Sequence, residues 1–423
     1  MRLPHLPLFA RVLIGVALGA VVGVMFGTGD IALGVTTGDL GALGILVVRV
    51  LKMLAVPLVT FAVLDAIVRT DLSGRMGARL LLICAMNVSV AFVIGLTLMN
   101  TIEPGNLWYG HLDELTSTPG LTAPKQPPPD ATLSPLENLT KLIPEAAVQP
   151  FSENNVIAVV LLAILAGAAI RRVRREPEAA ESIAAVERFI EGAYRVLARM
   201  LMMVVEVAPF AIFGVVAQVV GKAGLDVFAS MWAFLVVILL GFALHCLVYY
   251  PLMAWLVGQK PPRVYIGRGA DAILTGLSTN SSLATVPVTL RCLDSMEVAP
   301  ESARLAACIG TNLNNDGITL YEAMAVLFLA QALGYDLSIG AQVTIVLASL
   351  MAGIGVAGIP EAGLIVLPLV LGAAGFSEGQ IAALLPLVFT VDWILARGRT
   401  AVNVMSDMLV AILLDRWKRA RGG

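Results

Sequence analysis

The sequence predicts an all-α polytopic membrane protein with eight transmembrane helices and two re-entrant helical hairpins. Three observations carry this. Hydrophobic residues make up 58% of the 423 residues and charged ones only 14%, with a mean hydropathy of +0.88, a balance ordinary soluble domains do not reach. Eight apolar windows are long enough, or nearly so, to cross a bilayer. Two more apolar regions are interrupted by small and polar residues, a pattern tolerated at membrane depth only where backbone faces protein or water. The net charge of −2 says little, because the distribution of charge matters more than its sum, and no nucleic-acid partner is expected. Cys84, Cys246, Cys292 and Cys308 show no paired spacing, and His5, His111 and His245 lie far apart, so neither a disulfide framework nor a His/Cys metal centre is expected.

The first window, 10–27, follows Arg2 and Arg11 and runs into a glycine-rich segment without a convincing cleavage pattern, so it reads as a retained helix. Windows 42–68 and 78–101 come next. The segment 102–150 then breaks the apolar pattern, with PKQPPPD at 124–130 held extended by its prolines. Window 156–170 is short and reads as one part of a broken helix. A solvated turn over 171–182 leads into 188–219, followed by 228–257, 303–333 and 381–414. Basic residues gather after windows two, four and six (Arg69, Arg75, Arg79; Arg171, Arg172, Arg174, Arg175; Lys260, Arg263, Arg268) and in the tail (Arg416, Lys418, Arg419, Arg421). The segment 102–150 is acidic by contrast. If both interrupted regions re-enter from the side they leave, these basic sites share the cytoplasmic side of a cell membrane, and both termini with them.

The interrupted regions and the last window hold the candidate site. In 269–289, Ser278, Thr279, Asn280, Ser281 and Ser282 are consecutive, with Pro287 shortly after, which predicts a short helix–turn–helix. Region 341–374 centres on 353–363, where four glycines and Pro360 predict a hairpin tip able to approach and cover a ligand. Window 303–333 contains Gly310-Thr-Asn-Leu-Asn-Asn-Asp-Gly317, polar residues that waste solvation energy unless they coordinate something. Oxygens freed by local unwinding there suit a hard cation such as sodium. In 381–414, Asp392, Arg399, Asn403 and Asp407 differ by seven, four and four and so line one stripe. Each ionised group at mid-bilayer costs about 2.5–3.5 kcal/mol, so the stripe predicts a solute-binding wall rather than a lipid-facing surface.

Five motifs in order then carry a resemblance across nearly the whole chain. They are Arg49-Val-Leu-Lys-Met-Leu-Ala-Val-Pro57, Ser281-Ser-Leu-Ala-Thr-Val-Pro-Val-Thr289, Asn314-Asn-Asp-Gly317 (similar to an Asn-Met-Asp-Gly signature), Gly358-Ile-Pro360, and Arg399-Thr-Ala-Val-Asn-Val404 followed by Asp407. Together they resemble the dicarboxylate/amino acid:cation symporters, which include the glutamate and archaeal aspartate transporters. The resemblance implies a homotrimer in lipid with a glutamate-transporter-like elevator fold and inverted repeats. A scaffold would span approximately 8–68 and 135–220, a transport domain approximately 78–101 and 228–414, with 102–134 an extracellular loop. By position, Arg399 would pair with a substrate carboxylate, for which its planar fork is suited. Thr400, Asn403 and the Ser281, Ser282, Ile359 and Gly363 region would hold the remainder. Asn314, Asn403 and Asp407 would form one sodium site, with Asp316, Asn314 and Gly310 contributing to another. Gly358, Pro360, Glu361 and Arg397 fall at the gate. Glu322 resembles a glutamate that proton-coupled members use as carrier, so the coupling ion is Na+, H+ or both, with no other cofactor.

Departures from the family pattern shape the substrate expectation. Ala396 stands where amino acid carriers place the aspartate that holds the ammonium, and Ile318 where a threonine is usual. Cys84, Asn87 and Val88 replace a tyrosine and a Thr-Ser pair, which puts a third sodium in doubt, and Asn280 replaces an archaeal arginine. The first expectation is cation-coupled uptake of a C4-dicarboxylate, the second an acidic amino acid. Neutral solutes rank lower, because Arg399 would then be a buried charge without a partner. An enzyme is not expected, since no histidine lies near Ser281, Ser282 or Asp316 in sequence.

Overall fold

The computed structural model describes residues 8–69, 75–108, 144–153, 155–354 and 363–419. Helix α1 (Leu8–Phe26) leads through a small antiparallel hairpin, β1 (Asp30–Ala32) and β2 (Val35–Thr36), into α2 (Thr37–Arg69). A capping box starts α2: the Thr36 N–H donates to Asp39 Oδ2 at 2.8 Å, and the Asp39 N–H donates to Thr36 Oγ1 at 3.3 Å. Helix α3 (Arg75–Ile102) follows. Window 156–170 lies in α4 (Val156–Val173), which follows a separate helical turn (Gln149–Ser152) and is started by Asn155, whose Oδ1 accepts the Ala158 N–H at 3.2 Å. Next comes α5 (Ala180–Ala223). The proline-rich segment at 124–130 lies outside the described residues.

Helices α1, α2, α4 and α5 pack on one another. Small residues make this possible, because association within lipid depends on close backbone approach. Gly15, Gly19 and Gly23 repeat every fourth residue along the α1 face that meets α5. A Cβ at Gly19 would stand 2.9 Å from Val216 Cβ, and one at Gly23 would stand 2.7 Å from Val220 Cβ. At one end of this group, Arg69 bonds Asp65 and Glu191, both at 2.6 Å, and Arg174 bonds Glu187 at 3.2 Å. The arginines after windows two and four therefore meet at one end of the bundle.

Beyond α5, α6 (Asp226–Ala243) continues through a π turn (Leu244–Tyr249) into α7 (Tyr250–Leu256). The first interrupted region is the expected helix–turn–helix: α8 (Pro262–Thr279) and α9 (Ser282–Ser295) pack side by side. Asn280 turns the chain in the left-handed conformation (φ 53°), which asparagine tolerates better than most residues, and Ser281 caps α9 by accepting the Ala284 N–H at 3.2 Å. A further helix begins as α10 (Pro300–Arg304), loosens into a π turn (Leu305–Ile309) and a 3₁₀ turn (Gly310–Asn312), and resumes as α11 (Asp316–Ala332). The expected break at 310–317 is therefore present. Helices α12 (Ile339–Ile354) and α13 (Gly363–Ala373) pack as a second pair. The tip between them, including Gly358, Ile359, Pro360 and Glu361, lies outside the described residues. The last helix, α14 (Glu378–Arg419), runs against α8, α9, α11 and α13.

Among the described residues four helical stretches are long and apolar enough to cross a membrane: Thr37–Arg69, Met76–Ile102, Pro177–Lys222 and Met231–Leu256. The packing of α1 on α5 makes a direct prediction. Gly19→Val should destabilise the purified protein by about 1–3 kcal/mol through overpacking. Gly192→Ala, at an α5 position open to space, should be neutral or slightly stabilising. Thermal unfolding in detergent checks both; equal midpoints for the two variants would contradict this packing.

Candidate functional site

The stripe on α14 turns inward as a whole: Asp392, Arg399, Asn403 and Asp407 are each at most 3% exposed. Asp392 and Arg399 bind each other. Arg399 donates from Nη1 to Asp392 Oδ1 at 2.6 Å and from Nη2 to Oδ2 at 3.0 Å, a bidentate pair that fixes the plane of the guanidinium. Its other face is covered by the Tyr321 ring, 4.2 Å from Cζ. Arg399 is thus not a buried charge lacking a partner, as the ranking against neutral solutes assumed; Asp392 supplies one from two turns away. Gly363, at the start of α13, lies directly on this pair, and a Cβ there would stand 2.6 Å from Arg399 Cζ. Gly317 opens α11 against the α14 backbone in the same way, with room for a Cβ denied at 2.9 Å from Arg399 Cα.

Of the other expected solute-site residues, Ala396, Thr400 and Asn403 share α14 with Arg399, and Ser281 and Ser282 lie where the α8–α9 turn enters α9. Ala396 is buried with only a methyl to offer, and its carbonyl accepts from Thr400 Oγ1 at 3.0 Å. The Thr400 hydroxyl also lies 3.1 Å from Asn280 Oδ1, joining α14 to the hairpin-one turn. Ser282 Oγ accepts from Thr311 at 3.3 Å, joining the same turn to the break in the helix before α11. Ser281 spends its hydroxyl as the α9 cap. Arg397 points elsewhere, donating to the Trp393 carbonyl of its own helix at 3.0 Å. The Gly310 carbonyl accepts the Leu313 and Asn314 N–H groups at 2.7 and 2.8 Å, so it serves the turn.

A second polar nest gathers where α11 starts. Ser406 is its hub: the hydroxyl donates to Asp316 Oδ2 at 2.6 Å and accepts from Asn314 Nδ2 at 2.8 Å and Asn87 Nδ2 at 3.3 Å, using its full capacity. Tyr250 donates to the same Asp316 oxygen at 2.8 Å, and Tyr249 donates to Asn87 Oδ1 at 2.8 Å. Asn314 also reaches Asp407 Oδ1 at 3.3 Å. Two buried oxygens remain without hydrogen-bond partners, Asn314 Oδ1 and Asp316 Oδ1. Buried acceptors left open in this way are costly, and hard oxygens are the donors a sodium ion takes, so these residues fit such a cargo. Both Glu322 carboxylate oxygens are likewise buried without a partner. Ile318, on the same helix, is buried and apolar.

Several of these residues escaped the sequence reading. His245 lies 3.6 Å by Nε2 from Asp316 Oδ2, stacked on Tyr249, although in sequence it stands far from Asp316. The π turn that presents His245, Tyr249 and Tyr250 has no motif, although such turns recur at functional sites. Ser406 lies in window 381–414 and Asn315 in the 310–317 break, and neither residue type there marked a role of its own. Among the described residues no cluster of three His, Cys, Asp or Glu side chains could hold a metal ion.

A profile of the sodium:dicarboxylate symporter family matches residues 8–417. Similar curated proteins include excitatory amino acid transporter 1 of Ambystoma tigrinum, 27% identical over 430 residues, covering 89% of this chain and 77% of that protein. Excitatory amino acid transporter 1 of Homo sapiens is 32% identical over 289 residues, covering 67% of this chain and 52% of that protein. An excitatory amino acid transporter of Caenorhabditis elegans is 28% identical over 419 residues, covering 89% and 81%. The alignments span about half the length of the mammalian relatives.

The buried ion pair makes a prediction that does not depend on these relatives. Removing one partner by Asp392→Asn should destabilise the protein by about 3–5 kcal/mol, whereas Asp392→Leu with Arg399→Met should recover most of that loss. Chemical unfolding of the purified variants measures both, and a harmless Asp392→Asn would contradict the pairing.

Proposed function

This chain belongs to the sodium:dicarboxylate symporter family, and from that premise we propose that it couples a cation gradient to uptake of a small acidic solute with two carboxylates. The family supports a multi-pass transporter rather than an enzyme, with Na+ as coupling ion. The observation that carries the solute class is the fixed Arg399 guanidinium on a buried wall, beside Thr400, Asn403 and the hairpin-one turn. A solute carboxylate would exchange with or share Asp392 there. Asn314, Asn403 and Asp407 would hold one cation, and the orphaned Asp316 oxygen with Asn314 would contribute to a second site.

Two solutes satisfy this chemistry, and different observations favour each. The relatives' names favour an acidic amino acid, and this reading has the broader support. Its ammonium would then need Asp392 as acceptor, since residue 396 is an alanine. The buried methyl of Ala396 favours an unaminated C4-dicarboxylate, because alanine neither accepts a hydrogen bond nor offsets a positive charge. Mutual packing of α1, α2, α4 and α5 supports a scaffold distinct from a transport domain of α3 and α6–α14. We extend this to an elevator-type homotrimer of eight spans and two hairpins, with both termini cytoplasmic and the second hairpin as outer gate. Glu322 is the proton-carrying group in this proposal. A buried carboxyl without partners can gain or lose a proton without breaking a protein hydrogen bond.

Selectivity tests the solute assignment. In proteoliposomes, Ala396→Asp should raise the preference for aspartate over succinate by about tenfold or more, the scale of one buried hydrogen bond to a charge. Unchanged selectivity would remove Ala396 from the specificity determinants. Glu322→Gln should lose uptake driven by a pH gradient while keeping solute exchange. Retained pH-driven uptake would exclude Glu322 as the carrier.

A further inference from the structure

Helix α5 is longer than a bilayer needs and carries an arginine stripe on an uncovered face. Its 44 residues extend about 66 Å, against a hydrocarbon core of about 30 Å. Arg188, Gly192, Arg195 and Arg199 stand four, three and four residues apart, so they share one side of the helix. The three arginines are exposed, and a Cβ at Gly192 would meet nothing within 4 Å, which leaves open space between them. Among the described residues Arg188 and Arg199 form no ion pair. Arg195 pairs with Glu191, but that carboxylate also serves Arg69. The depth of the stripe follows from α2. The Phe61 and Phe189 rings meet edge-on at 5.9 Å, which puts the start of the stripe level with the apolar run 53–64 of α2. Guanidinium groups at that level are costly unless they meet an anion or reach the headgroups.

We propose that this face of α5 binds an anionic phospholipid, with its phosphate at Arg195 and Arg199 beside the gap at Gly192. Two features fit that occupant. The planar fork of arginine matches phosphate oxygens. Phe189, Val196, Met200, Met203 and Val207 are exposed beside the stripe and continue past it, offering apolar surface along which acyl chains can lie. Charge is also sorted along the helix. Glu176, Glu178 and Glu181 stand in the turn before α5 and in its first turn, while the stripe lies further along. Clusters of basic residues at the end of a membrane span attract acidic headgroups in this way. The competing occupant is a second copy of the chain. Glu206 lies seven residues beyond Arg199 on the same side, exposed and without an ion pair among the described residues, and could meet an arginine of a neighbour. Three arginines against one carboxylate leave the face positive, which favours the acidic lipid.

Native mass spectrometry of the full-length protein in detergent tests this, with phosphatidylglycerol and phosphatidylcholine of equal chain length as probes. Each arginine near a membrane surface contributes about fivefold to holding an acidic lipid. The parent protein should therefore hold phosphatidylglycerol about 25-fold more tightly than phosphatidylcholine. Arg195→Gln with Arg199→Gln should bring that ratio to about one. Arg172→Gln with Arg175→Gln makes the same charge change at the turn between α4 and α5, and should leave the ratio unchanged. Arg195→Lys with Arg199→Lys keeps the charge and should retain a several-fold preference, which keeps the test decisive if the glutamine pair does not fold. No preference in the parent, or an equal loss in the Arg172 and Arg175 variant, would overturn the proposal. The same spectra report the oligomeric mass. Should Glu206→Gln or the Arg195 and Arg199 variant dissociate a complex in lipid-free detergent, a second copy covers this face and the proposal fails.

Discussion

The structure depends on one constraint: backbone polar groups removed from water need partners within the protein. The helix leading to α11 gives up its regular hydrogen bonds over residues 305–315. That is affordable only because α14 and α12 approach closely enough to supply substitutes. Gly317 lets α11 rest on the α14 backbone, Asn403 accepts the Gly317 N–H, and Ser406 and Asp407 receive Asn314. Without the break there would be no open oxygens for a cation. Without the polar stripe of α14, the break would leave several buried groups unpaired at once, each costing about 1–3 kcal/mol.

The same economy explains why the charges sit where they do. Arg399 and Asp392 neutralise each other inside the wall, and the Tyr321 ring closes over the guanidinium. Buried pairs of this kind contribute little net stability, but losing one partner is expensive. An incoming carboxylate therefore meets a preoriented fork whose present partner is a carboxylate of matching geometry. Hairpin one reaches this wall through Asn280 and Thr400, and hairpin two through Gly363. Both helical pairs thus converge on a few turns of α14, where the proposed function puts solute and cation.

Much of this was legible in the sequence, for identifiable reasons. Five consecutive hydrogen-bonding residues at 278–282 could not stay in a plain apolar helix, and the chain turns there on Asn280. The stripe spacing of seven, four and four put four residues on one inward face. The same spacing did not reveal that Asp392 and Arg399 pair. Seven residues along a helix is roughly 10 Å, and only the length of the arginine side chain closes that gap. His245, Tyr249 and Tyr250 were silent because they come from a separate helix at a π turn, His245 and Tyr250 reaching Asp316 and Tyr249 reaching Asn87. Asn315 was hidden inside a motif already accounted for, and its bond to the Gly353 carbonyl forms only because that residue, distant in sequence, packs against it.

The central claim is that a cation gradient drives an acidic solute through this site. Accumulation of labelled aspartate and labelled succinate in proteoliposomes, under an imposed sodium gradient and then under a proton gradient, tests it most directly. The account predicts saturable accumulation of at least one of the two solutes above its external concentration, lost when the gradient is collapsed. Equilibration without accumulation under either gradient, or no uptake of either acid, would contradict it.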